Sequence, residues 1–98
     1  MYQKSLGLAL QAVGLDICWP VAIPVWFRGH QVGYFEGDML VERSVLLELK
    51  AVRAVDGSHQ AQLLNYLRAT DLEVGLLLNF GVKPEFKRLL FDNARKTK

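Results

Sequence analysis

The sequence predicts an α/β fold, a sandwich of helices around a mixed β-sheet, in a single domain spanning residues 1–98. Three observations predict it. Apolar residues recur at helical spacing in two separated segments, near residues 2–13 and 59–69. Between and after them lie runs rich in Val, Ile, Leu, Trp and Phe, which favour strands. The stretch that separates the third strand from the fourth is long enough to carry a helix and return parallel, which makes the sheet mixed and the crossover right-handed.

Each element follows in order. Tyr2, Leu6, Leu10 and Val13, with Ala9 between, form one helical stripe, and Gly14 is placed to stop the helix. Ile17 to Phe27 reads as extended chain. Pro20 and Pro24 each lack a ladder donor, so this strand is expected at an edge or with a bulge. Arg28-Gly29-His30-Gln31 is a turn. Val32 to Glu42 resumes the extended pattern, with an interruption at Gly37. After a second turn at Glu42-Arg43-Ser44, Val45 to Val52 forms a third strand, and the three strands make an antiparallel meander. In that third strand Val45, Leu47, Leu49 and Ala51 share one face, while Leu46, Glu48, Lys50 and Val52 share the other. Asp56-Gly57-Ser58 breaks the pattern, with Ser58 or Asp56 as the N-cap of a helix from His59 to Ala69. Val74 to Phe80 is almost wholly apolar and suits a strand covered on both faces. Phe86 to Phe91 is either a fifth short strand or a helical turn, and residues 92–98 form a basic tail.

Ninety-eight residues is one domain at most. An apolar fraction of 51% with 22% charge is ordinary for a globular protein and argues against disorder. No apolar run reaches the roughly 18–20 residues that span a bilayer, so no membrane partner is expected. The N-terminus lacks a basic segment followed by an apolar core. With a lone cysteine, Cys18, which has no partner for an internal disulfide, the expected compartment is the cytoplasm. The net charge of +2 does not by itself imply nucleic acid. Its distribution is uneven: Lys83, Lys87, Arg88, Arg95, Lys96 and Lys98 outweigh Glu85 and Asp92, so residues 83–98 carry +4 and the rest −2. Such a tail either touches phosphate or frays in solvent.

The chemistry concentrates on the third strand. Glu48 and Lys50 are two apart, so both leave the same face. A charged pair in an apolar strand needs water, a partner or a metal. In a hairpin centred on Arg43, Asp38 falls opposite Glu48. Two carboxylates so placed repel unless a cation lies between them. Asp38, Glu48 and the Leu49 carbonyl offer the hard oxygen donors that Mg²⁺ takes, and Lys50 stands beside them to help activate a water and to offset charge on an attacked phosphate. A solvated hairpin with scattered charges has the same spacing. On the following helix Gln62 and Tyr66 are four apart and share a face, with His59 one turn earlier. These three are either ligand contacts or solvent-edge residues, and His59 also fits a plain role at the helix start. Trp19, Trp26, Phe27, Tyr34 and Phe35 suit strand packing more than base stacking. Gly29, Gly33 and Gly37 read as turn and bulge glycines, and His30 with His59 makes no zinc site.

The ordered segments Asp38-Met-Leu-Val-Glu42, Val45-Leu-Leu-Glu-Leu-Lys-Ala51, His59-Gln-Ala-Gln-Leu-Leu-Asn-Tyr-Leu67 and Gly75-Leu-Leu-Leu-Asn-Phe80 together resemble the GxxExxY family of the PD-(D/E)XK nuclease superfamily. The resemblance runs from Tyr2 to about Phe91. It implies a restriction-endonuclease-like αβββαβ core and Asp38 and Glu48 as ligands of Mg²⁺ or Mn²⁺. It also implies Lys50 as the catalytic lysine, with Gln62 and Tyr66 as the helix motif. Tyr2 and the residues after it fit the family's opening helix, whereas the Gly and Glu of that motif would fall before Met1. Glu36 or Glu42 could stand in for that acid. The expected activity is hydrolysis of phosphodiester bonds in nucleic acid, DNA ahead of RNA. The alternative is a non-catalytic nucleic-acid-binding or protein-interaction module on the same fold, as a homodimer.

Overall fold

The computed structural model describes residues 2–96, the side chain of Tyr2 excepted. The place of the Tyr2 side chain in the first apolar stripe, and of Lys98 in the basic tail, lie outside the described residues. The chain runs α1 (Tyr2–Ala12), β1 (Ile17–Cys18), β2 (Val21–Phe27), β3 (His30–Gly37), β4 (Met39–Val41), β5 (Val45–Lys50), α2 (Gly57–Ala69), β6 (Val74–Asn79), β7 (Glu85–Leu90) and a single 3₁₀ turn (Asn93–Arg95). Five strands form one sheet in the order β1-β4-β5-β6-β7, with β5 and β6 parallel and the other pairs antiparallel. This is the mixed α/β architecture expected of the restriction-endonuclease-like fold. The segment from Phe86, open between strand and helical turn, is strand.

The meander needs one correction. Its first two strands do not run unbroken through one sheet. Ile17↔Val41 and Cys18↔Leu40 pair in the main sheet, whereas Val21↔Gly37 through Phe27↔His30 pair in a separate two-stranded arm. Both pieces keep one register as far as Val25, so this is a single long hairpin bent across two sheets. The bend has a local cause: the shared register would set Pro20 against Asp38, and proline has no N–H for the ladder. The interruption therefore falls at Asp38, one residue after Gly37. The expected bulge is present in the arm, where the register shifts between Val25 and Trp26.

Two apolar clusters cover the two faces of the sheet. On one, Ile23, Leu46, Leu63 and Leu77 pack together, with Phe35, Tyr66 and Leu89 against them. On the other, Ile17, Met39 and Leu47 meet Leu6 and Leu10 of α1. Leu46 and Leu47 thus separate as the period-two pattern requires. Leu46, Leu63, Leu67 and Leu77 are at most 1% exposed, and each such burial contributes about 1.5–3 kcal/mol relative to exposure. Helix α2 is capped by Asp56, whose side chain accepts from the Ser58 and His59 N–H groups while His59 Nδ1 accepts from the Asp56 N–H. The segment after β7 does not fray as far as Lys96. Asn93 N–H donates to Glu73 at 2.8 Å, and Lys96 Nζ donates to the carbonyls of Thr70 at 2.9 Å and Leu72 at 2.5 Å. Among the described residues no helix is long and apolar enough to cross a membrane.

Candidate active site

The β4–β5 ladder runs Val41↔Val45, Leu40↔Leu46, Met39↔Leu47. One step further sets Asp38 opposite Glu48, as the hairpin spacing predicts. The backbone of Lys50 turns to β6, where its carbonyl accepts from Phe80 N–H at 2.8 Å. The backbone groups of Leu49 therefore turn to the β4 edge, and continuation of the ladder would put Asp38 and Glu48 at a non-hydrogen-bonded position, the kind at which facing side chains lie closest.

Because the hairpin bends there, Asp38 is released from the strand. Its Oδ2 accepts from Leu49 N–H at 2.7 Å, so a side chain completes the ladder where the backbone has left it. The Leu49 carbonyl projects from the same strand edge. Asp38 is held from the other side by α1, where Gln3 Nε2 donates to the Asp38 carbonyl at 2.6 Å. Gln3 carried no signal in the sequence, since it is 35 positions away from Asp38 and polar residues on an amphipathic helix ordinarily face solvent.

Glu48 leaves the same face as Leu46 and is half-buried under the α2 side of the sheet. Burial, joined by repulsion from Asp38, pushes its carboxyl up to about 7, while attraction from Lys50 opposes the rise. Its Oε1 is buried and has no hydrogen-bond partner among the described residues. An acceptor stranded in this way calls for a proton or a cation. Two carboxylates and a backbone carbonyl at one edge are hard oxygen donors, so the residues present fit a Mg²⁺ or Mn²⁺ ion that keeps several waters. Among the described residues no cluster of three or more His, Cys, Asp or Glu forms, so any such site rests on two acids. Neither proposed substitute acid reaches it. Glu36 is exposed on the arm, and Glu42 sits at the far end of β5, where its Oε2 accepts from Asp16 N–H at 3.4 Å.

Gln62 and Tyr66 lie on α2 as expected, but they form a second group. Gln62 Nε2 donates to the Tyr66 hydroxyl at 3.1 Å rather than to either carboxylate. The Tyr66 ring stacks on Phe35 of the arm, with centroids 4.0 Å apart and 11° between planes. With Ser58, His59, Ala61 and Asn65 they line an open groove of about 570 Å³. Helix α2 packs on the face from which Glu48 and Lys50 project, so the groove and the carboxylates share one side of the sheet. His59 is accounted for by the cap. A separate depression of about 380 Å³ at Asp16, Cys18 and Arg43 lies at the opposite end of the β4–β5 hairpin.

Comparison with known proteins agrees with this fold. No curated protein matches the sequence. The crystal structure of SSO0001 superposes with a TM-score of 0.65 at 20% identity, over 95% of this chain and 50% of that one. At that identity the likeness concerns the fold alone, and this chain spans about half the length of that protein. A sequence model of the PD-(D/E)XK nuclease superfamily matches residues 1–89, the whole of α1 through nearly all of β7. The chain belongs to the PD-(D/E)XK nuclease superfamily.

Proposed function

We propose that this protein is a divalent-cation-dependent nuclease that hydrolyses phosphodiester bonds of nucleic acid, DNA ahead of RNA, and that within the superfamily it falls in the GxxExxY family. The observation that carries the reading is the closeness of Asp38 to Glu48, whose buried Oε1 has no hydrogen-bond partner among the described residues. Asp38, Glu48 and the Leu49 carbonyl are the residues that would hold the cation. A Mg²⁺ or Mn²⁺ ion bound there supplies Lewis-acid polarisation of a phosphoryl oxygen and a lowered pKa for water. The Lys50 ammonium, on the same strand face, offsets charge that develops on the attacked phosphate. Gln62 and Tyr66 orient a substrate strand along the α2 groove through their free amide and hydroxyl valences.

A second reading, a non-catalytic nucleic-acid-binding or protein-interaction module on the same fold, is favoured by one observation. Only two acids meet at the candidate centre among the described residues. The two readings separate on titration with Mg²⁺ or Mn²⁺, followed by calorimetry and thermal shift, on the parent protein and Glu48→Ala. We expect saturable binding and a raised Tm in the parent, neither in the variant, and metal-dependent cleavage of a DNA or RNA substrate by the parent alone. No metal effect on the parent would sink the metal site. Metal binding without cleavage would keep the site and favour the second reading.

A further inference from the structure

Asn79 ends β6 within an otherwise apolar run, and it is only 3% exposed. A buried amide is costly unless its donors and acceptor are all used. Here they are. Asn79 Oδ1 accepts from the N–H groups of Val52 at 3.0 Å and Gly81 at 3.1 Å. Its Nδ2 donates to the carbonyls of Val52 at 2.9 Å and Lys83 at 3.1 Å. Both backbone groups of Val52 are therefore paired by one side chain, which acts as a further rung of the β5–β6 ladder after the strands have parted.

That rung lies immediately beyond Lys50. Lys50 faces Asn79 in the parallel register. On the other edge of β5 the β4 ladder stops at Met39↔Leu47, and past it the side chain of Asp38 takes over at Leu49. The end of β5 that carries Glu48 and Lys50 is thus clamped by two side chains, Asp38 on one edge and Asn79 on the other. The clamp at Asn79 is tight. A Cβ placed on Gly81 would lie 1.9 Å from the Val52 carbonyl oxygen, so the two chain segments meet at backbone contact.

We propose that Asn79 is a positioning residue for Lys50: by pinning Val52 it fixes the exit of β5 and holds the lysine stem on the face shared with Glu48. This rests on the reading of Lys50 as the lysine that acts on the phosphate. An error of about 1 Å in a reacting group costs up to on the order of 10²-fold in rate, so a small shift of the strand end is sufficient to matter. The Asp38–Glu48 pair, held by the β4 register and by Leu49, does not depend on Asn79.

The test is a double-mutant cycle on the full chain with Mg²⁺ and a DNA substrate, using Asn79→Ala, Lys50→Ala and the double variant. Asn79→Asp is the isosteric companion, which keeps the acceptor for Val52 and Gly81 and turns both donations into contacts between a carboxylate oxygen and the Val52 and Lys83 carbonyls. We expect Asn79→Ala to lower kcat on the order of 10–100-fold with KM and the Mg²⁺ half-saturation unchanged, Asn79→Asp to lower it at least as far, and Asn79→Ala to cost nothing further in the Lys50→Ala background. Equal losses in both backgrounds, a loss carried by KM, or failure of both Asn79 variants to fold would overturn the proposal. Should the parent cut nothing, the nuclease reading fails and the Asn79 proposal is decided separately by carbon relaxation of the Lys50 side chain. Greater mobility of Lys50 in either Asn79 variant than in the parent supports it, and equal mobility overturns it.

Discussion

At the scale of single residues, the raised carboxyl of Glu48 should make stability depend on pH. In the folded chain its carboxyl is raised to about 7 from 4.5, by burial first and by Asp38 second. The folded state then holds a proton that the unfolded state has released between these values, so the metal-free fold is most stable below the lower value and loses stability as pH rises towards 7. We expect the metal-free Tm to fall over that window and then to level. Glu48→Gln, which cannot ionise, should flatten the profile, and scanning calorimetry between pH 4 and 8 in a chelating buffer (roughly spanning both values) checks it. Mg²⁺ competes with the same proton, so its apparent affinity should strengthen through the same interval. A lone acidic residue on a polar hairpin would show none of this. The shift requires the apolar surroundings of Leu46 and Leu77 and the second carboxylate next to it.

At the scale of elements, the bent hairpin and helix α2 matter most. The β2–β3 arm leaves the main sheet at Pro20 and Asp38 and is tied back to the body by Phe35 on Tyr66 and by Ile23 in the α2-side cluster. An offset-stacked aromatic pair is worth roughly 0.5–1.5 kcal/mol beyond the area it buries. Tyr66→Ala should therefore loosen the arm selectively. Amide hydrogen exchange ought to speed up across β2 and β3 while the protection of β5 and β6 stays near the parent value. Equal acceleration throughout would mean that the arm and the sheet open as one unit. The same element explains a part of the site that spacing could only suggest. Asp38 acts as a side chain because the strand that would have used its backbone bends away at a proline.

At the scale of the whole molecule, the C-terminal segment closes the fold. Lys96 Nζ is shared by Thr70, Leu72 and Asn93 Oδ1, and Arg68 and Arg95 both lie over the Phe91 ring. These contacts join the segment after β7 to the turn between α2 and β6. Hydrogen bonds to a charged donor contribute about 1.5–3 kcal/mol each at most, less where water reaches them. Lys96→Met should lower the Tm by several degrees without altering Mg²⁺ affinity, because Lys96 is bound to the opposite end of β6 from Asn79. Loss of nucleic-acid affinity alone, with stability unchanged, would instead return Lys96 to the role of a solvated phosphate contact.

The sequence by itself determined the order of helices and strands, the two faces of β5 and the opposition of Asp38 to Glu48. These follow from local periodicity and from one short turn at Glu42-Arg43-Ser44, where side-chain direction is settled by counting residues. Only the tertiary structure decided the division of the hairpin between two sheets, the hold of Gln3 on Asp38 and the clamp of Asn79 on Val52. It also decided the pairing of Gln62 with Tyr66 rather than with a carboxylate and the docking of the chain up to Lys96. The contacts of Gln3, Asn79 and Lys96 each join a side chain to a backbone group brought near by the packing of different elements. A hydrogen bond across 27 or 35 positions leaves no period in the sequence, and a buried asparagine in an apolar run reads there as an exception until its four partners are in view.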